Sequence, residues 1–414
     1  MFLHKKSARP SVKRLHTAIK SDFAAKSEDL VGSSCVEKDG NRLISRYKRR
    51  EFYMPFKVKQ VIGTYNDVIY LLCDYGIFTV LGSAMEYLTS IAAPAMSCCV
   101  YRGDMILSAN GYGTYYATQR LAKKVYSDGF SSMTVCADRI FGLHDKEVYY
   151  TEAGERDGWA NGQVITLPTT CNAIVTLGEK VYVLGNTCYT LSPNADDVEF
   201  KLTTYAYNLG GVAVRSPVVY NGRAVFASDR GLYQLNSNKI APIFTHLNGA
   251  IDFASAVGTL YDGKYYISCR SKDSSDTSNN LTLILDLDNE EILGVLDNGY
   301  DSISATSDRI LFTREETCYW VDYTVSGGRF VKTNVNFATD KKKFLDRLTL
   351  TAYKDLEVII RSETETRLYK IKGKKTAQKI NLRDMGWEFS IELSSGDALD
   401  VENVMIEAHV CWEV

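Results

Sequence analysis

One pattern returns seven times between residues 60 and 323. An apolar stretch meets a short polar turn, a second apolar stretch and another turn follow, and an aromatic-rich third stretch ends the unit. It is plainest in AIVTLGEKVYVLGNTCYTL (173–191) and SPVVYNGRAVFASDRGLYQL (216–235). Three short strands of this kind cannot bury both of their faces alone. Neighbouring units must therefore cover each other, which restricts the chain to a repeat architecture of small antiparallel sheets.

The turn after the first stretch falls at Asn66-Asp67, Gly103-Asp104, Asp138-Arg139, Gly178-Glu179, Asn221-Gly222, Asp262-Gly263 and Ser307-Asp308, at spacings of 37, 35, 40, 43, 41 and 45 residues. A unit near forty residues suits a four-stranded propeller blade. The second strands read VIYLLC, MILSAN, IFGLHD, VYVLGN, AVFASD, YYISCR and ILFTRE. The third read IFTVLG, TYYATQ, VYYTEA, CYTLSP, LYQLNS, LTLILD and CYWVDY. Nothing holds a helical apolar stripe over three turns, and the best helical candidates are Val12–Lys26 and Met85–Ser90. A parallel α/β sheet, which needs crossover helices, is therefore not expected.

Beyond the repeats, RLTLTAYKD, EVIIRSE, TRLYKIKG, AQKINLR, WEFSIELSSG and NVMIEAHVCWEV read as six short strands of an antiparallel sandwich. The expected organisation is a basic arm over 1–30, an all-β propeller over 31–342 with seven blades (six being the alternative), and a small sandwich over 343–414. Within 31–59, Asp39-Gly40 marks a hairpin turn. The last blade can borrow a strand from this region, which would staple the ends of the array and hide an exposed edge. The polar stretch SKDSSDTSNN (271–280) is a loop between two strands of the sixth copy.

The net charge of −2 conceals a polarity. Through Lys59 there are 15 Lys/Arg against 6 Asp/Glu, a balance of +9, and the rest carries −11. Lys5, Lys6, Arg9, Lys13 and Arg14 are the candidate contact residues. A clasp on a neighbouring subunit or partner ranks first, a solvated tail second and DNA third. No aromatics alternate with these cations to stack exposed bases. The basic start lacks the apolar core of a secretory signal, and no run reaches membrane-spanning length.

Little points to catalysis. The histidines (His4, His16, His144, His246, His409) are scattered, and no cysteine spacing matches a zinc site. Cys73, Cys136, Cys188 and Cys318 sit in strand-like runs and read as buried, reduced thiols. SDRGLYQL (228–235) departs from the Ser-x-Asp turn of sialidase propellers, and Trp320-Val321-Asp322 lacks the Gly-His partner of a WD repeat. Gly-x-Ser-x-Gly elbows and phosphate loops are missing. The expectation is a non-enzyme without cofactor or metal.

Two stretches carry a family resemblance. Residues 137–193, with the Tyr149-Tyr150 pair, Asp157-Gly158-Trp159 and the strand Ile165-Thr166-Leu167-Pro168, resemble a unit of the structural propellers of tailed bacteriophages. Residues 210–244, with VVYNG and SDRGLY, resemble the next blade of such proteins, and the C-terminal strands resemble the sandwich that follows it. The similarity spans roughly 31–414. It implies a tail hub, nozzle or packaged-DNA-stabilisation protein: a homo-oligomeric ring around the DNA exit channel, in contact with portal, adaptor and other tail proteins. Such a protein would fold in the host cytoplasm and reside in the virion tail or neck, close to packaged DNA and not inserted in a membrane. The alternative is a binding module at the tail tip that recognises a host glycan or protein.

Overall fold

The structure, a computed structural model, describes residues 13–16, 36–39, 42–45, 48–161, 163–194, 199–237, 239–296, 298–322, 328–332, 343–396 and 399–410. Two compact units divide the chain: one takes residues 49–290 and 298–321, the other residues up to 48, 291–297 and from 322 onward.

The first unit is a propeller. Blade 1 is the meander Val58–Tyr65, Val68–Cys73, Gly76–Leu81, Ala84–Thr89; blade 2 is Ser97–Tyr101, Asp104–Ala109, Gly113–Ala117, Ala122–Tyr126. Blade 3 is Ser132–Cys136, Arg139–His144, Glu147–Tyr150, Val164–Thr166; blade 4 is Ala173–Leu177, Lys180–Leu184, Cys188–Pro193, Phe200–Ala206. Blade 5 is Val218–Tyr220, Arg223–Ser228, Gly231–Leu235, Ile240–Ile243, and blade 6 contributes Ile251–Tyr261, Lys264–Ser271 and Leu281–Asp286. Blade 7 is Ser302–Ala305, Ile310–Arg314 and Thr317–Asp322, and its fourth strand is Lys48–Glu51, taken from ahead of blade 1. The first strands of successive blades lie side by side, and that of blade 7 returns to that of blade 1. The borrowed strand expected from 31–59 is thus present, and Phe52 N–H continues the closure to Cys318 O at 2.9 Å.

The stacking follows from strand alternation. Every residue of Val68–Cys73 is buried. Val68, Tyr70 and Leu72 pack with Met105 and Leu107 of blade 2, while Ile69, Leu71 and Cys73 pack with Leu311 and Cys318 of blade 7. The same division recurs in blade 4, where Val181 and Val183 meet Phe141 and Leu143 of blade 3, and Tyr182 and Leu184 meet Ala224 and Phe226 of blade 5. Period-two side chains on a sheet covered on both faces give near-continuous apolar runs. Each fully buried Leu or Val contributes about 1.5–3 kcal/mol.

In blades 1, 2, 3, 5 and 6 the turns between first and second strands are two-residue loops with both residues at positive φ, the geometry that matches strand twist, whereas blade 7 uses a four-residue connection between Ala305 and Ile310. Asn221 and Gly222 have φ 48° and 73°, and Asp262 and Gly263 have 48° and 69°. In two blades the turn sits one residue before the expected pair, at Arg102-Gly103 and Ala137-Asp138. The pairings Tyr101↔Asp104 and Cys136↔Arg139 leave only two residues between the strands, so the register decides.

Met85–Ser90, a helical candidate in the sequence, is strand: Ala84–Thr89 pairs antiparallel with Gly76–Leu81. In Val12–Lys26 the described part, Lys13–His16, is also strand. A sheet partner within reach outweighs a marginal local preference.

The second unit is two antiparallel sheets. One runs Glu291–Leu296, Val36–Asp39, Arg42–Ser45, Asp400–Val410, Lys343–Ala352, Gln378–Gly386, with Lys13–His16 also on Asp400–Val410; the other runs Gly328–Lys332, Ser390–Ser395, Leu356–Arg361, Thr366–Ile371. Leu345, Leu348, Val358, Ile360, Leu393 and Ile406 are buried within it. The six strands expected over 343–414 are all here. The Val36–Ser45 hairpin and the strand Gly328–Lys332, assigned above to the propeller range 31–342, belong to this unit, because their ladders run to Asp400–Val410 and Ser390–Ser395.

Candidate functional site

All seven blades contribute to one cavity of about 210 Å³: Gln60 and Ile62 from blade 1, Cys98 from blade 2, Ser132 and Met133 from blade 3, Ile174 from blade 4, Arg215 and Pro217 at the start of blade 5, Gly258 from blade 6 and Ser302 from blade 7. A space bounded by every first strand lies on the propeller axis. A second cavity of about 430 Å³ shares Met96, Ser97, Ser131, Val214, Arg215 and Val257 with it.

Most polar groups of this wall are committed to the seams between blades. Gln60 Nε2 donates to Met96 O at 2.7 Å, and Gln60 Oε1 accepts from Met96 N at 2.8 Å. Ser97 Oγ donates to Phe130 O, Ser132 Oγ accepts from Ile174 N at 3.1 Å, and Ser302 Oγ accepts from Val61 N at 2.9 Å. The seams thus use side chains to satisfy backbone groups that the sheets leave unpaired.

A repeated device sets two of these serines. Asp128-Gly129-Phe130-Ser131-Ser132 opens blade 3, and Asn298-Gly299-Tyr300-Asp301-Ser302 opens blade 7. The aromatic amide is accepted by a buried serine of the preceding blade: Phe130 N to Ser108 Oγ at 2.8 Å, Tyr300 N to Ser268 Oγ at 2.6 Å. A threonine opposite that serine holds the residue before the glycine: Thr114 Oγ1 to Asp128 O, Thr282 Oγ1 to Asn298 O. A Cβ on Gly129 would lie 1.7 Å from Ala109 O, and on Gly299 2.0 Å from Asn279 C, so both positions require glycine. This second repeat, (Asp/Asn)-Gly-aromatic-x-Ser, is readable in the sequence, but its spacing differs from that of the strand triplets.

Arg215 is the one charged side chain among the residues lining either cavity. Its backbone is fixed on both sides. Gly258 N donates to Arg215 O at 3.0 Å, Tyr265 Oη donates to Ser216 O at 2.8 Å, and Ser216 Oγ donates to Ala213 O and accepts from Ala227 N. The Arg215 side chain is exposed to solvent while its base lines the cavity. Desolvation by the surrounding protein atoms pulls its pKa down, and Asp301 partly offsets this. Among the described residues none forms a hydrogen bond or ion pair with it. No motif announces this arginine; a cation in the segment AVRSPVV, just ahead of the first strand of blade 5, is the only signal.

Of the arm residues, Lys5, Lys6 and Arg9 lie outside the described residues. Lys13 and Arg14 lie on the strand Lys13–His16, in register with Ala408 and Glu407. Arg102 and Arg156 are engaged by Asp138 and Asp104 across blades 2 and 3. The eight described cysteines are free thiols, and burial raises the pKa of each, Cys98 and Cys136 to about 11 and Cys73 and Cys171 to about 12. Among the described residues no group of three His, Cys, Asp or Glu is placed to hold a metal.

The meander blades and the ring of first strands define a β-propeller with an attached β-sandwich. No family model matches the chain, and no curated protein does. Solved structures similar to it include the WD40 repeats of RRP9 (8% identity, TM-score 0.49, 67% of this chain and 99% of that one) and BBS1N in complex with ARL6DN (9%, 0.48, 70% and 96%). The computationally designed Ika8 protein is another (8%, 0.45, 73% and 99%).

Proposed function

We propose that the protein is a structural subunit of a tailed-bacteriophage tail or head–tail junction, a hub or nozzle that assembles as a homo-oligomeric ring around the DNA exit channel. The observation that carries this reading is where the resemblance falls: residues 137–193 and 210–244 make up blade 3 after its first strand, the first three strands of blade 4, and blade 5.

The propeller axis is far too narrow for a duplex, and its single charge is positive. The DNA path of the proposed ring therefore runs between subunits, not through one propeller. The acids that give −11 beyond Lys59 act, in this reading, on the walls of that larger channel, where like charge keeps phosphates from sticking. Blade 1 offers an assembly surface, since its outer strand exposes Met85 and Tyr87, beside exposed Leu81.

The test is negative-stain imaging and sedimentation of the purified chain alone and mixed with portal assemblies. Rings or portal-capped complexes are expected. A chain that stays monomeric with portal but binds host cells or their glycans would overturn the hub and favour the tail-tip binding module.

A further inference from the structure

The sandwich unit carries a row of cations that nothing in it answers. The strand Gln378–Gly386 ends one of its sheets, paired with Lys343–Ala352 and with no other described strand. Exposed and inward residues alternate along it, so Lys379, Asn381 and Arg383 stand outward in one row, about 6.6 Å apart at the rise of a strand. The turn that leads into this strand adds Lys374 and Lys375, both exposed. That turn is tied down: Lys374 N donates to Ala352 O at 2.6 Å, Gly373 N to Asp355 Oδ1 at 2.9 Å, and Gln378 Nε2 to Lys372 O at 2.9 Å. Residues 374–383 hold four cations and no acid. Neighbouring cations of the same unit have partners. Arg361 pairs with Glu392 at 2.8 Å, Arg367 with Glu365 at 2.7 Å, and Lys372 with Asp355 at 3.2 Å. Among the described residues no ion pair or hydrogen bond reaches the side chain of Lys374, Lys375, Lys379 or Arg383. Protection of a free edge accounts for a lysine on the strand. It does not account for four unanswered cations on strand and turn together.

We propose that this edge of the sandwich binds a single strand of nucleic acid through its phosphates, with Lys374, Lys375, Lys379 and Arg383 as the ion-pairing groups and the Asn381 amide as a neutral donor between two of them. Arg, Lys and Asn side chains all donate to phosphate oxygens, and a straight row of them follows a backbone that carries one charge per nucleotide. The row has no apolar centre of the kind a protein partner would cover. Beyond Arg383 it continues with Met385, and Trp387 follows the end of the strand; they are 44% and 46% exposed and offer an apolar surface to a base. Glu363 closes this end, accepting from Trp387 N at 3.0 Å, so the bound strand must leave the protein there. The inference does not depend on a role in a virion.

The test is fluorescence anisotropy of a labelled single-stranded oligonucleotide of mixed sequence, titrated with the full chain at several salt concentrations. Saturable binding that weakens steeply with salt is expected. K374Q/K375Q and K379Q/R383Q should each weaken it about tenfold or more, and each removed cation should flatten the slope of log K against log salt by about 0.7. W387A should weaken binding with the slope unchanged. K146Q, at an exposed lysine of the propeller, should change neither affinity nor slope. No saturable binding at low salt, or affinity and slope unchanged in K374Q/K375Q/K379Q/R383Q, overturns the proposal. So does polyglutamate of matched charge competing as well as the unlabelled oligonucleotide, or vesicles of anionic lipid bound more tightly through the same residues, since the row would then serve an acidic protein or a membrane surface. If the fourfold variant fails to fold by circular dichroism, the two double variants decide, and unchanged slopes in both overturn it.

Discussion

Replacing Ser302 by Ala tests the closure of the propeller at the seam where its two ends meet. Ser302 Oγ accepts from Val61 N of blade 1 at 2.9 Å and bonds Thr313 Oγ1 of its own blade at 2.5 Å. The three residues are 2%, 1% and 1% exposed, so water cannot replace a lost partner without opening the seam. An orphaned buried amide costs about 1–3 kcal/mol and the loss at the threonine hydroxyl about 1 more, so S302A is expected to cost about 2–4 kcal/mol. With an unfolding entropy of about 2.1 cal/mol/K per residue over a unit of roughly 270 residues, that lowers the melting temperature by about 4–7 °C. Urea unfolding read by circular dichroism gives the same quantity from the midpoint shift at constant m. S302A/T313V should recover about 1 kcal/mol relative to the sum of the single variants, since the orphaned hydroxyl is gone. S132A makes the equivalent change in mid-array, at the blade 3–blade 4 seam. A shift below about 0.5 kcal/mol for S302A, beside a full effect for S132A, would refute the argument that a side-chain bond seals the ring.

Three further outcomes are expected. G142A places a Cβ 2.3 Å from Cγ of the fully buried Phe130 and should destabilise by about 1–3 kcal/mol, with F130L in the same chain recovering part of it in urea midpoints. The thiols of the propeller, all held above their ordinary range by burial, should resist iodoacetamide at pH 8 in the native protein and react on unfolding; rapid labelling of Cys98 by mass spectrometry would contradict the packing around Ile62 O, its hydrogen-bond acceptor at 3.3 Å. Arg309 and Thr306 hold the Asp308 carboxyl down to about 2, so its contribution is present above pH 4 and is lost as pH falls toward 2. Because Asp308 is 58% exposed, D308N should cost less than about 1 kcal/mol at pH 7, with the gap to the parent closing by pH 2 in pH-dependent melts.

Much of the propeller was legible in the sequence, because period-two alternation and turn chemistry are local. VIYLLC is buried on both faces because its odd and even residues feed two different cores, and a run with no polar member announces that before any coordinate does. Asn221-Gly222 and Asp262-Gly263 mark their turns because few residues accept positive φ twice in succession. What only the tertiary structure decided were partners far apart in the chain. Local pattern cannot say that Arg42–Ser45 pairs with Asp400–Val410 in the second unit, or that Lys48–Glu51 is the strand that closes blade 7. Nor can it place Arg215 on an axis shared by seven blades, because a residue's neighbours across a ring are fixed by closure, and closure is a property of the whole ring rather than of any one repeat.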